Sequence, residues 1–323
     1  MTENLEQLKD RNTATVVSET AILSLVMILS LAGNLLVCFA VYKNPRLRCP
    51  SNYYIISLAL SDILQALFTM PLSIVYLAIG RWPFGTSLCY FSAIVKYSLS
   101  KISIYTMVLM AVNRYYKIVK PAKYQTTFKK KFIARTASLV WGIFITYAII
   151  AAFVIGSDVK EHEDYALCLI QYPLSAIPVL TLLMYLPYFP IIFCYWKIYR
   201  AVKVHSANVS WQSSNVEDVK VSKTLFATVV GFVSLWMPAN CIYLHYVLSP
   251  SIPRELALFG TMLVFCTSCV NPFIYGFMNR AFKAEFKKYL VIKKIASIDA
   301  KASIDAESSP KRLTSDTTLD APT

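Results

Sequence analysis

The chain has 323 residues, of which 56% are hydrophobic and only 15% are charged, and its formal net charge is +14. Soluble domains are about 45–50% apolar and about 25% charged, so this composition excludes a domain that water surrounds on every side. The basic residues lie in short polar gaps between apolar runs. This distribution indicates membrane topology and argues against binding to nucleic acid.

Seven apolar runs divide the chain, and each is long enough for a membrane helix, which needs about 20 residues. They cover residues 21–43, 52–79, 86–116, 133–155, 175–199, 222–248 and 256–278. Prolines fall inside four runs, among them Pro71, Pro187, Pro238 and Pro272. Each proline removes a backbone hydrogen bond and predicts a kink. We therefore predict an all-α membrane protein, a seven-transmembrane helix bundle formed by residues 21–290.

The basic residues determine the predicted orientation of this bundle. The gaps after the first, third and fifth runs are rich in lysine and arginine, whereas the other three contain only Arg81, Lys160 and Arg254. Loops with an excess of basic residues stay in the cytoplasm. Residues 1–20 are therefore predicted to be an extracellular N-terminus and the C-terminus to be cytoplasmic, in a multi-pass protein of the plasma membrane.

Two features follow the seventh run. Phe282, Phe286 and Tyr289 recur at helical spacing beside lysines, which predicts a short amphipathic eighth helix on the lipid of the inner leaflet. Residues 291–323 are polar and predict a disordered cytoplasmic tail. Its serines and threonines, in 308–318, are either phosphorylation sites for a basic partner or part of a solvated segment without a regulatory role.

The third run combines charged and apolar residues. Lys96 and Arg114 are 18 positions apart, and therefore lie on one line of an α-helix. Membrane charges face the bundle interior or a water-filled cavity, so we expect this stripe to face inward. The residues near the same line are Ser100, Ser103, Met107 and Met110. Lys101 lies about 140° from Lys96, which predicts a position on the far flank of the helix.

Several motifs occur in the order found in a known receptor family. They are Gly33-Asn34, Leu58-Ala59-Leu60-Ser61-Asp62, Trp82-Pro83-Phe84-Gly85 before Cys89, Asn113-Arg114-Tyr115 before Pro121, Trp141, Pro187 with Tyr195, Phe232 with Trp236 and Pro238, and Asn271-Pro272-Phe273-Ile274-Tyr275. With these motifs the chain resembles the rhodopsin-like (class A) G protein-coupled receptors over residues 20–290. The resemblance implies a receptor, not an enzyme. It would pass the signal of an extracellular ligand to heterotrimeric G proteins by movement of the sixth helix, and arrestin would bind the tail.

The resemblance also implies roles for individual residues. Cys89 and Cys168 would form a disulfide. The sodium-binding polar core would comprise Asp62, Asn34, Ser103, Ser268 and Asn271, the alternative being a protonated, structural Asp62. The switch residues would be Asn113, Arg114, Tyr115, Tyr195, Phe232, Trp236, Pro238 and Tyr275, with Arg114 in contact with the G protein. The candidate ligand-binding residues are Lys96, Tyr97, Ser100, Trp236 and Tyr243.

Asn113 departs from the family pattern, which has an acid before the arginine. Melatonin receptors share the Asn-Arg-Tyr variant but differ at the seventh-helix proline, so the subfamily stays unassigned. Asp218 is the candidate partner that restrains Arg114, although a solvated loop aspartate is the alternative. Without the adjacent acid, the sequence predicts raised ligand-free signalling, and a constitutively active receptor is an alternative function.

Lys96 is the main indication of ligand chemistry. In amine receptors the matching position is an aspartate, so a lysine argues against an amine and favours an anionic group. The alternative is that Lys96 pairs with acids of the second outer loop, which are Asp158, Glu161, Glu163 and Asp164. Opsins carry their retinal lysine where this chain has Phe265, so retinal is not expected. Apart from sodium, no cofactor is predicted.

Two other classes of protein fit the sequence less well. A transporter or channel that uses the polar stripe as its path would usually show internal repeats, and the two halves of this chain show no pairing. An intramembrane enzyme would need clustered acids, bases or metal ligands. The histidines, at positions 162, 205 and 245, are instead scattered.

Overall fold

The computed structural model describes residues 12–155, 158–205, 209–248 and 252–288. Within these ranges, seven segments are long and apolar enough to cross a membrane, which confirms the predicted bundle. The segments, called the first to seventh spans, are Thr13–Lys43, Asn52–Ile79, Gly85–Val119, Lys130–Phe153, Thr181–Val204, Val216–Leu248 and Arg254–Met278. The predicted tail, 291–323, and the first eleven residues lie outside the described ranges.

Two spans contain breaks and one helix extends beyond its span. The second span consists of the helices Asn52–Phe68 and Met70–Ile79, the fifth draws on Ile177–Tyr185 and Tyr188–His205, and the sixth belongs to the helix Val209–Leu248. Both breaks lie beside a predicted proline kink, at Pro71 and Pro187, because proline lacks the N–H that would continue the helix. Pro238 and Pro272 instead lie inside continuous helices. The connections include the 3₁₀ turns Pro45–Leu47 and Leu174–Ala176 and the helix Pro121–Thr127.

The first span begins earlier than its apolar content predicts. The helix starts at Thr13 rather than at residue 21. The Asn12 side chain accepts a hydrogen bond from the Ala14 N–H at 3.0 Å, which caps the helix. One turn further along, Glu19 forms two hydrogen bonds of 2.8 Å with Arg254 of the seventh span. Polar contacts therefore stabilise the helical residues before position 21. A search for apolar runs does not detect such contacts.

The third span lies at the centre of the bundle, packed against the second, fourth, fifth and sixth spans. Its predicted stripe faces inward, since Ser100, Ser103, Met107, Met110 and Arg114 are all at most 8% exposed. Lys96, at the start of the stripe, is partly exposed. The stripe thus connects two ends of one helix through the bundle interior.

A β-hairpin follows the fourth span, an element that the sequence did not predict. Strands β1 (Val159–His162) and β2 (Leu167–Ile170) pair antiparallel, with Glu161 opposite Cys168. Cys168 is bonded to Cys89 near the start of the third span, which confirms the predicted disulfide. The bridge holds the hairpin against this end of the bundle, called here the hairpin end.

The predicted eighth helix is present at 280–288, and part of its apolar face packs on the bundle. Phe282 is fully buried and its ring lies 5.6 Å from that of Tyr275 in the seventh span. Glu285 is also buried and accepts a hydrogen bond of 3.0 Å from Asn44, beyond the first span. The buried glutamate, which the aromatic pattern did not include, therefore adds a polar contact between this helix and the bundle. Tyr289 lies outside the described residues.

The first and seventh spans approach closely where Gly33 faces Pro272. A Cβ atom added at Gly33 would lie 2.9 Å from both Cβ and Cγ of Pro272, a rigid ring that cannot rotate away. Gly33→Ala is therefore expected to destabilise the protein by about 1–3 kcal/mol, the cost of overpacking. The measurement is thermal unfolding of the detergent-solubilised protein. Gly142→Ala is the matched control, because nothing lies within 4 Å of its added Cβ; equal midpoints for the two variants would contradict the prediction.

Candidate functional site

A cavity of about 130 Å³ opens within the hairpin end of the bundle. It contains all five candidate ligand-binding residues: Lys96, Tyr97, Ser100, Trp236 and Tyr243. The remaining lining comes from the third, fifth, sixth and seventh spans and from the hairpin: Ala93, Lys101, Tyr165, Cys168, Leu169, Ile170, Tyr172, Met184, Ala239, Asn240, Gly260, Thr261 and Val264. The volume is close to that of an engineered cavity of about 150 Å³ that holds benzene.

The hairpin forms one wall of the cavity and two contacts fix it there. The Cys89–Cys168 bridge ties β2 to the third span, with 5.4 Å between the Cα atoms. From the opposite side, the Thr261 hydroxyl of the seventh span donates to the Tyr165 carbonyl at 3.0 Å. The hairpin is thus attached to two spans, and sequence reasoning missed Tyr165 and Thr261 because neither belongs to a motif.

The cavity lining is basic and carries no acid. Lys96 and Lys101 contribute to it, and no aspartate or glutamate does. Among the described residues, no acidic side chain pairs with Lys96. The alternative ion pair between Lys96 and the acids of the loop after the fourth span is therefore absent from this part of the chain. Asp158 instead pairs with Lys160 at 3.1 Å. Burial, and then the charges of Lys96 and Lys160, lower the pKa of His162 in the hairpin, so the positive field extends to this wall.

Lys101 does not lie on the far flank of the third helix, away from Lys96, as the helical spacing predicted. It is 6% exposed and lines the same cavity as Lys96. Its Nζ lies 5.6 Å from the centre of the Tyr97 ring, within the range of a cation–π contact. Helical angle places only the Cα, whereas the long lysine stem can carry the charge around the helix. Because other helices surround the third span, the stem of Lys101 directs its charge into the cavity.

The predicted polar core is assembled in the middle of the bundle. Asp62 is 3% exposed and its Oδ2 accepts a hydrogen bond of 2.9 Å from Asn271 Nδ2. Asn34 Nδ2 donates to the Ser268 carbonyl at 2.8 Å. Ser103 instead contacts Ser61, with 3.0 Å between the hydroxyl oxygens. Ser61 stands beside Asp62 in the quoted motif, yet nothing in the sequence marked it as part of this network.

The residues around Arg114 form a second buried cluster at the end opposite the hairpin. Arg114 is 2% exposed, and its Nη1 lies 3.9 Å from Asp218 Oδ1 of the sixth span. Lys117 is nearer to the same oxygen, at 2.5 Å. Asn113 is fully buried, and neither of its side-chain polar atoms has a hydrogen-bond partner among the described residues. The predicted Arg114–Asp218 approach is therefore present, and Lys117 shares it.

Three aromatic pairs lie between this cluster and the cavity, on the third, fifth and sixth spans. Phe232 and Trp236 stack at 5.5 Å between ring centres, one turn apart, just before Pro238. Tyr195 packs at 5.0 Å against Phe226, which links the fifth span to the sixth. Tyr115 lies 6.1 Å from Phe193 of the fifth span. Of these aromatic residues, Trp236 also lines the cavity.

The family described as 7 transmembrane receptor (rhodopsin family) matches residues 33–275. The chain belongs to this family. It is a multi-pass membrane receptor and not an enzyme, as its motifs predict. Neither pattern nor geometry assigns this receptor to one subfamily.

Curated relatives of the receptor are similar over most of their length. Neuropeptide FF receptor 2 of Mus musculus is 30% identical over 296 residues, which are 81% of this chain and 70% of the relative. Melatonin receptor type 1B of Rattus norvegicus is 30% identical over 283 residues, 83% and 77% of the two chains. Histamine H2 receptor of Homo sapiens is 25% identical over 288 residues, 86% and 80% of the two chains. The names of these three relatives point to three different ligand chemistries.

A solved structure, that of squid rhodopsin, superposes on the receptor with a TM-score of 0.78. It covers 94% of each chain at 20% sequence identity. Similarity at this level supports the fold alone. The position that carries the retinal lysine in opsins is Phe265 here, and it is fully buried in the seventh span.

Proposed function

We propose that this receptor responds to an extracellular ligand with an anionic group, and that it transmits the signal to heterotrimeric G proteins by movement of its sixth span. The observation that carries the proposal is the cavity itself, which contains Lys96 but no acid. Taking an ammonium group out of water without a partner is costly. A carboxylate, phosphate or sulfate on the ligand would supply the missing partner, whereas a cationic amine would add repulsion.

The transmission step follows from residues that the cavity shares with the sixth span. Trp236 lines the cavity and stacks on Phe232, and the same helix carries Asp218 to Arg114. A ligand that shifts Trp236 would therefore shift a helix that also restrains the arginine. Pro238 lies in the same helix between the cavity-lining residues Trp236 and Ala239, where a missing hydrogen bond makes bending easier.

Several further features belong to the proposal. The hairpin end is extracellular and the Arg114 end cytoplasmic, in the plasma membrane, because the basic gaps adjoin the Arg114 end. The polar core suits a sodium ion, since the Asp62 carboxylate and the buried Asn271 carbonyl oxygen, which has no partner among the described residues, are hard oxygen donors. Arrestin would bind the phosphorylated tail. Raised ligand-free activity is favoured by Asn113, which leaves Arg114 without an adjacent acid.

The test is a screen of anionic, neutral and cationic compounds, read with a panel of G protein sensors in cells that express the receptor. We expect the best agonists to be anionic. Lys96→Ala should reduce their potency about 10- to 100-fold, because a hydrogen bond to a charged group contributes about 1.5–3 kcal/mol. Lys160→Ala, which removes a hairpin lysine outside the cavity lining, is the matched control. A cationic amine as the best agonist, or equal potency on the Lys96→Ala receptor, would refute the proposal.

A further inference from the structure

Two lysines share the cavity at the hairpin end, and the proposed function uses only one of them. Lys96 and Lys101 both contribute to its wall, which includes no acidic residue. Within the described ranges, no aspartate or glutamate pairs with either side chain. Lys101 is 6% exposed, so water does not fully solvate its charge. One buried cation can be neutralised by one acid group of a ligand, but the second then remains.

The two lysines lie at different depths. Five residues of α-helix separate their Cα atoms by about 7.5 Å along the helix axis. Lys96 is nearer the start of the third span, where Cys89 holds the hairpin. Lys101 also borders a small annex of about 10 Å³, whose other walls include Trp236 and Phe232. The deeper lysine is therefore beside the aromatic pair of the sixth span.

Lys101 has one favourable contact, with the face of Tyr97 at 5.6 Å. A cation–π contact attracts the charge but does not neutralise it. Two like charges in one cavity repel each other, and a ligand with two negative groups would relieve both. The walls between them are aromatic and apolar, with Tyr97, Tyr243 and Val264 among the lining residues. They suit a short carbon spacer.

We infer that the ligand is a small dianion, with one acid group on Lys96 and a second on Lys101, joined by a spacer of a few carbon atoms. This inference rests on the proposed function, because it requires an anionic ligand at Lys96. It adds that the second acid group lies beside Trp236. Lys101 thereby selects diacids over monoacids and connects the bound ligand to the sixth span.

The experiment compares acids of equal chain length on the full-length receptor in detergent. The probes are succinate with butyrate, glutarate with valerate, and adipate with hexanoate, at constant ionic strength. Dissociation constants come from the shift of the thermal unfolding midpoint with concentration. We expect at least one diacid to bind about tenfold more tightly than its monoacid, the contribution of one charged contact.

Three variants locate the preference. Lys101→Gln should bring the diacid-to-monoacid ratio close to one and leave monoacid binding nearly unchanged. Lys96→Gln should weaken both members of a pair. Lys160→Gln, the exposed hairpin lysine that pairs with Asp158, should change neither and controls for net charge.

Each contrary outcome has a distinct meaning. A ratio near one in the unmodified receptor, or a diacid preference that survives Lys101→Gln, overturns the dianion inference while Lys96-dependent monoacid binding still supports the proposed function. Absence of binding by every diacid also overturns it. If Lys96→Gln changes nothing while acids do bind, the anionic site of the proposed function fails as well.

Discussion

Replacing Cys168 with serine is expected to lower the free energy of unfolding by about 2–4 kcal/mol and to remove most receptor from the cell surface. The bridge to Cys89 closes a loop of 79 residues, and chain entropy alone predicts about 4 kcal/mol for a loop of this size. Membrane insertion already restrains the third and fourth spans, which lowers that figure. The hairpin that Cys168 holds also forms a wall of the cavity. The loss of ligand affinity should therefore exceed the loss of unfolding free energy.

The disulfide prediction has two internal controls. Cys241→Ser removes an exposed cysteine with a free thiol and should leave the surface level and the unfolding midpoint nearly unchanged. The double variant Cys89→Ser/Cys168→Ser should be no less stable than either single variant, because the two residues act through one bond. Surface labelling and thermal unfolding measure both quantities. Full surface expression of Cys168→Ser would show that the Thr261–Tyr165 contact suffices to hold the hairpin.

The spans could be predicted because they depend on a signal that the sequence states directly, whereas the disulfide was implied by the resemblance to the receptor family. A membrane helix needs about 20 apolar residues, and the apolar runs are that long whatever their tertiary contacts. The 18-residue register between Lys96 and Arg114 is likewise a property of any α-helix. Both signals are independent of the rest of the fold.

The start of the first span and the position of Lys101 could not be predicted for a common reason. Residues 13–20 are mostly polar, and the pairing of Glu19 with Arg254 joins positions 235 residues apart. The charge of Lys101 reaches the cavity through its flexible stem, which an angle between Cα atoms does not describe. Contacts between residues distant in sequence and the direction of a long side chain both depend on packing. A single sequence shows neither directly. The hydrogen bond between Asn44 and Glu285, 241 residues apart, followed the same rule.

Replacing Asp218 with asparagine is expected to raise ligand-free signalling about fivefold at equal surface expression. Asp218 lies within 4 Å of two cations on the third span, with 2.5 Å to Lys117 and 3.9 Å to Arg114. These contacts hold the inner part of the sixth span against the third. A partly exposed ion pair contributes up to about 1 kcal/mol, and this energy changes an equilibrium between two conformations about fivefold. G protein sensors without ligand measure the change, and Glu217→Gln is the neighbouring control.

Two further variants separate the roles of the two cations. If Asp218 acts through Arg114, Lys117→Gln should leave basal signalling at the level of the unmodified receptor, because the carboxylate then turns fully to the arginine. If Lys117 is the restraining partner, Lys117→Gln should raise basal signalling as much as Asp218→Asn does, and the proposed restraint of Arg114 would be wrong.

Asn113→Asp tests the restraint of Arg114 from the third span. It adds a carboxylate beside Arg114 where the asparagine side chain has no partner among the described residues. It should therefore lower basal signalling in the unmodified receptor and return the Asp218→Asn receptor toward the unmodified level, since an adjacent acid replaces the one lost from the sixth span.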